Sequence, residues 1–275
     1  MKGGTAINFF VRDLPRLSVD IDLTYLPIQP RQESLQQINQ AMGRIALLIR
    51  KGLPEASITS TRLPTEEANV KLIIRSAETQ IKIEVTPVLR GCVFEPEIMD
   101  VSAAVEDTFG FAQIQVVSHA DLYAAKFVAA LDRQHPCDLF DVREFIATSE
   151  IDDTLRRAFI VYMLSHNHPM SEVLHPTLKD ISDEYERGFV GMTTEAITLD
   201  ELLEARDRLI SILVDHMPDG HREFLIGFEE GTPNWQLLDI PDAENLPAVR
   251  WRQQNLDKLN DNQRTALVAD LRKTL

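Results

Sequence analysis

Cysteine is scarce. Cys92 and Cys137 are the only two in 275 residues, and their spacing fits neither a disulfide-stapled framework nor a zinc ribbon. This points to reduced thiols and a cytoplasmic location. No apolar run nears the roughly 20 residues that span a bilayer, and no charged segment leading into an apolar stretch marks a secretory leader, so no membrane association is expected. Basic residues are in deficit: 28 Lys and Arg stand against 43 Asp and Glu, a net charge of −15. Such a balance counts against a broad surface built to coat nucleic acid. Residues 250–275 reverse the sign, with six basic against three acidic, and a solvated helix face accounts for them most simply. Internal repeats and low-complexity tracts are missing as well. What remains, 44% apolar and 26% charged, suits a globular chain with one large core or two modest ones.

The pattern along the chain is mixed first and helical later, an α+β order. A short helix is expected over 5–10, stopped by Pro15, then a strand over 18–26. Leu35, Ile38, Met42, Ile45, Ala46 and Ile49 recur at helical spacing, which predicts a helix over 31–51 ended by Gly52. Strands are expected over 56–63, 70–75 and 80–85, the last two joined by a hairpin at 76–79. From His119 onward helices are expected over 121–132, 139–147, 151–166, 180–189 and 198–217, with 220–233 irregular and two short helices at 243–257 and 261–273. Thr198-x-x-Glu201 reads as a capping box. The expected division is a small mixed-sheet core over 1–115 and a mainly helical domain over 116–275.

The chemistry concentrates near the amino end. Lys2-Gly3-Gly4-Thr5 is a small, glycine-rich turn, and Leu17-Ser18-Val19-Asp20-Ile21-Asp22-Leu23 follows it. In a strand, Asp20 and Asp22 point to one face. Two such carboxylates repel unless a cation lies between them, and a hard, oxygen-seeking ion such as Mg²⁺ fits. Gly-rich backbone can cradle phosphates beside it. Lys82 and Glu84 share the wet face of a later strand. If that strand neighbours the first, Glu84 supplies a third carboxylate and a base for an attacking hydroxyl. Lys126 and Arg133 are two helical turns apart, cations suited to triphosphate charge. Asp138 and Asp141 read as first-turn charges on the next helix, and Ser118-x-x-Asp121 as a helix cap. His166, His168 and His175 lack a supporting acidic pattern and are read as structural. Trp235 and Trp251 are read as packing residues, and no nucleophile motif surrounds Ser18, Ser118 or Cys137.

Taken in order, Lys2-Gly3-Gly4-Thr5, Asp20-Ile21-Asp22, Lys82-x-Glu84 and Lys126…Arg133…Asp138-Leu139-Phe140-Asp141 resemble the AbiEii/AbiGii toxin family over roughly residues 1–145. That family consists of nucleotidyltransferases with a polymerase-β-like catalytic domain, usually the toxin half of a toxin–antitoxin pair; MenT relatives attach nucleotides to the 3′ end of tRNA. The resemblance implies a nucleotidyltransferase core with Asp20, Asp22 and Glu84 as catalytic and Mg²⁺-holding residues. It implies that Gly3, Gly4, Thr5, Lys82, Lys126, Arg133 and Asp138 bind the NTP, that tRNA is the acceptor, and that a cognate antitoxin is the protein partner. Glu84 departs from the Asp common at its position, and Cys137 stands where relatives often carry Arg or Lys. Two other functions remain open on the sequence: an NTP-binding protein without catalysis, and a transferase acting on a small molecule such as an antibiotic.

Overall fold

A computed structural model describes residues 1–63 and 68–275. The chain divides into two compact units, Met1–Val117 and Ser118–Leu275. The first opens with α1 (Gly3–Ala6), which continues into a π-helical turn, Ile7–Val11. Strand β1 (Ile21–Tyr25) is shorter than the expected 18–26. The reason is local: the Thr5 hydroxyl donates to the Asp20 carbonyl and shares a 2.9 Å hydrogen bond with Ser18 Oγ. The backbone before β1 is therefore held by α1 and not by a strand ladder.

Helix α2 (Arg31–Gly52) buries Leu35, Ile38, Met42 and Ala46 along one stripe. Strands β2 (Ser57–Arg62), β3 (Asn69–Ser76) and β4 (Thr79–Arg90) follow. The sheet runs β1-β4-β3-β2, with β2, β3 and β4 antiparallel and β1 parallel to β4. Ser76 pairs with Thr79 across a two-residue turn in which Ala77 takes a φ of +49°. Val70, Leu72 and Ile74 of β3 and Ile83 and Val85 of β4 pack with Ile38, Met42 and Ala46 of α2. Because side chains alternate along a strand, Lys71, Lys82 and Glu84 fall on the opposite face. Two strands not expected from the sequence, β5 (Glu97–Asp100) and β6 (Gln113–Val116), make a separate antiparallel ladder, with α3 (Ala103–Phe109) between them in sequence.

The second unit is helical: α4 (His119–Asp132), α5 (Pro136–Thr148), α6 (Asp153–Leu164), α7 (Met170–Leu174), α8 (Ser182–Gly188), α9 (Leu199–Ile210), α10 (Asp219–Glu230), α11 (Pro247–Leu256) and α12 (Asp261–Thr274). Ser118, Asp152, Thr198 and Asn260 each cap the helix they precede, accepting from the third helical amide, as small polar caps do. Tyr123 and Phe127 of α4 lie against Phe145 of α5, with ring centroids 4.5 and 5.3 Å apart. Helix α10 lies where an irregular segment was expected. Trp251 is not a packing residue: it is 54% exposed, with the Lys258 ammonium 5.4 Å from its ring centre. No described helix is long and apolar enough to cross a membrane.

Candidate active site

The glycine turn is shaped by what it touches. Lys2 is extended, and its amide donates to the Asp22 carbonyl at 2.8 Å. Gly3 then takes a φ of +81°, open to glycine at little cost. A Cβ there would also overlap Asp22 Oδ2, and one at Gly4 would come within 2.6 Å of Arg16 Nη2. The backbone of Gly3 thus lies directly against one of the carboxylates. Thr5 is buried, and its hydroxyl braces the segment carrying Asp20.

Asp20 sits just ahead of β1 and Asp22 within it. In the parallel register Asp22 pairs with Glu84 of β4, so the condition set by the sequence holds and the third carboxylate lies beside the second. Lys82 ties the group together. Its amide donates to Asp20 Oδ1 at 3.3 Å, and its ammonium lies 3.1 Å from Asp20 Oδ2 and 3.5 Å from Glu84 Oε2. Lys71, opposite Glu84 on β3, brings a second ammonium to 3.3 Å from Glu84 Oε2. With the Lys82 ammonium beside Asp20 and Glu84, the oxygens of Asp20, Asp22 and Glu84 do not all come within 4.8 Å of one another.

Charge is strained here. Burial raises the Asp22 carboxyl above its usual pKa, and the nearby Glu84 and Asp20 add to this against the pull of Lys82 and Lys2. Lys2 shifts the other way: burial lowers its ammonium despite the attraction of Asp22 and Glu84. Lys82 is raised, since Asp20, Glu84 and Asp22 outweigh its own burial. Three carboxylates on one face, one of them poorly solvated, offer oxygen donors only. That set suits a hard divalent cation and offers nothing to a softer one.

Lys126, Arg133 and Asp138 come together in the second unit. Lys126 of α4 is 6% exposed, and its ammonium lies 2.7 Å from Asp138 Oδ1 and 2.9 Å from Asp141 Oδ2 on α5. Arg133, just past α4, grips Asp138 with Nε at 2.6 Å and Nη2 at 3.1 Å. Burial alone would raise the Asp138 carboxyl; Lys126 and Arg133 outweigh it and hold it at about 2. Asp138 lies in the first turn of α5, as expected, and Asp141 lies beyond it. Neither caps the helix: the cap is His135, whose Nδ1 accepts from the Cys137 amide at 3.2 Å, and both carboxylates turn to Lys126.

Some partners were not foreseen. Lys2 and Lys71 reach the carboxylates only through strand register, which leaves no trace in local sequence. Asp121 was read as a cap residue alone. It is fully buried and also accepts from the Tyr162 hydroxyl at 3.0 Å and from Ser118 Oγ at 2.6 Å.

Comparison with known proteins adds to this geometry. Residues 1–255 match the profile of the nucleotidyl transferase AbiEii toxin family, of the type IV toxin–antitoxin system. Among solved structures the chain resembles MenT4, a nucleotidyltransferase toxin from Mycobacterium tuberculosis H37Rv, with a TM-score of 0.55 and 16% identity over 98% of this chain and 83% of that one. At that identity the likeness is one of fold, and it is the same α+β arrangement of small mixed sheet and helices. Comparison with curated proteins gave no match.

Proposed function

The chain belongs to the AbiEii nucleotidyltransferase toxin family, and from that premise we propose that it transfers a nucleotide from an NTP to an acceptor hydroxyl at the Asp20, Asp22 and Glu84 face, using Mg²⁺, with the 3′ end of tRNA as acceptor. The observation that carries this is the pairing of Asp22 with Glu84 directly against the Gly3 backbone. In this reading the acceptor oxygen forms a new bond to the α-phosphorus, the bond from that phosphorus to the bridging oxygen breaks, and pyrophosphate leaves.

Asp20, Asp22 and Glu84 would hold the divalent cation, which when bound supplies charge neutralisation at the phosphates and lowers the pKa of a bound hydroxyl. Glu84 accepts the proton of the attacking hydroxyl. Gly3 and Gly4, lacking side chains, let the phosphates approach the main chain, and Thr5 fixes the loop that carries Asp20. Lys82 balances Asp20 and Glu84, and its ammonium is the cation on this face that would meet the phosphates. Lys126, Arg133 and Asp138 form a second phosphate-binding group. In it Arg133, whose side chain is 62% exposed, makes the contact, and buried Asp138 and Lys126 orient it. We assign the protein to the cytoplasm, where Cys92 and Cys137 stay reduced, with a separately encoded antitoxin as partner.

The test is to incubate the purified chain with each α-labelled NTP, Mg²⁺ and total tRNA. Label passing to tRNA in the wild type and not in Asp20→Ala supports the proposal. NTP bound without transfer would make it a binding protein, and label appearing on an added aminoglycoside with RNA ignored would make it a small-molecule transferase.

A further inference from the structure

His166 and His168 lie in the connection between α6 and α7, and sequence alone offers them no acidic partner. The fold supplies one. Asp132, the last residue of α4, comes up against both rings, with Oδ2 3.5 Å from His166 Nε2 and Oδ1 3.4 Å from His168 Nδ1. Among the described residues this is the group of three His, Cys, Asp or Glu side chains whose ligand atoms all lie within 4.8 Å of one another.

The separations are informative. Strong charged hydrogen bonds close to about 2.7–2.9 Å, and these contacts are longer. A tetrahedral cation about 2.1 Å from each donor sets the donors about 3.4 Å apart, close to the separation of each imidazole nitrogen from the Asp132 oxygen that faces it. Two imidazoles and one carboxylate are a ligand set that late first-row divalent cations favour, while magnesium and calcium prefer oxygen. Glu172 Oε2, 4.0 Å from His168 Nδ1, stands within reach as a fourth donor.

We propose that Asp132, His166 and His168 bind a zinc-class divalent cation, which fastens the end of α4 to the α6–α7 connection. The connection is already set in place from its other side. Arg252 of α11 donates through Nη1 to the His166 carbonyl at 3.1 Å and the His168 carbonyl at 2.9 Å. A ligating imidazole is the neutral ring, and in His166 the nitrogen that faces Asp132 is Nε2. Binding through Nε2 keeps the ring proton on Nδ1, so it gives up the exposed 3.3 Å hydrogen bond that Nδ1 accepts from the His168 amide. Water replaces an exposed bond of this kind at small cost. The site lies wholly within the second unit and does not depend on the transfer reading.

The experiment uses the untagged full chain, stripped with chelator, desalted and titrated with Co²⁺ and then Zn²⁺. The wild type is expected to take up one Co²⁺ with the visible absorption of a tetrahedral centre, bleached by one equivalent of Zn²⁺. A hundredfold excess of free Zn²⁺ over Kd should raise Tm by about 5 °C. His168→Ala, at a ring 57% exposed, keeps its circular dichroism and loses the cobalt band, with affinity down about 100-fold or more. Asp132→Asn does the same, while Asp20→Ala retains the band. No cobalt band in the wild type, or a band and Tm shift that survive both His168→Ala and Asp132→Asn, would overturn the proposal.

Discussion

Asp22 and Glu84 are paired across the parallel junction of β1 and β4, so two carboxylates 62 positions apart in the chain share one face of the sheet. The Asp22 carboxyl is raised chiefly by burial, and such a group costs the folded protein stability at neutral pH, where it must carry charge. Asp22→Asn is therefore expected to melt at higher temperature than the wild type at pH 7 while losing transfer by about 10²-fold or more. The gain should vanish at acid pH, where folded and unfolded chains both hold the proton. Thermal unfolding from pH 7 to pH 3, alongside the labelled-NTP assay, checks both halves.

Gly3 and Gly43 make a contrasting pair. Gly3→Ala forces a side chain into a φ of +81° and onto Asp22, and should cost about 1–3 kcal/mol together with most of the activity. Gly43 lies mid-α2 with nothing within 4 Å of its would-be Cβ. Gly43→Ala should stabilise by about 0.5–1 kcal/mol and leave transfer untouched. Urea melts of the two variants measure the difference.

Acid should unfold the second unit partly through Asp138. Its folded pKa of about 2 lies below the 3.8 of an unperturbed aspartate, so its contribution is full above about pH 4 and is lost as pH falls toward 2. The shift corresponds to about 2 kcal/mol. In Asp138→Asn this limb of the stability profile flattens, and the gap from the wild type narrows as pH drops from 5 to 2. Chemical denaturation at stepped pH reads this directly.

Removal of divalent cations should abolish transfer, and Mg²⁺ alone should restore it, in the wild type and in His168→Ala alike. Restoration that needed zinc, or that failed in His168→Ala, would mean that the oxygen-only group on the sheet is not where the required cation acts.

What the sequence made legible was local. The capping box at Thr198 and Glu201, the helical stripe from Leu35 to Ala46 and the alternation of Ile81, Ile83 and Val85 each follow from neighbours a few residues apart, and each is present. The candidate site was legible as separate motifs; its assembly depended on the order of strands in the sheet. Lys71 shows the limit, because it reaches Glu84 only once β3 is in register with β4. Segment 220–233, expected to be irregular, is helical as far as Glu230 despite its glycines. Gly220 falls in the first turn of α10, and Gly227 lies where the Thr232 carbonyl would sit 3.2 Å from a Cβ, so its small size serves packing and does not break the helix. Strand β5 escaped notice because Ile98 and Met99 are adjacent and Ile98 is 70% exposed, so no buried face imposes an alternating pattern.

The topology of the sheet also sets an order of events. Strands β2, β3 and β4 are consecutive and antiparallel, so they can zip up as neighbours, whereas β1 must wait for β4 before it has a partner in the sheet. Contacts between distant positions form at greater entropic cost and hence late. A nascent chain emerging from the ribosome thus carries its aspartates for some sixty codons before Glu84 is made, and the shared carboxylate face can assemble only after that.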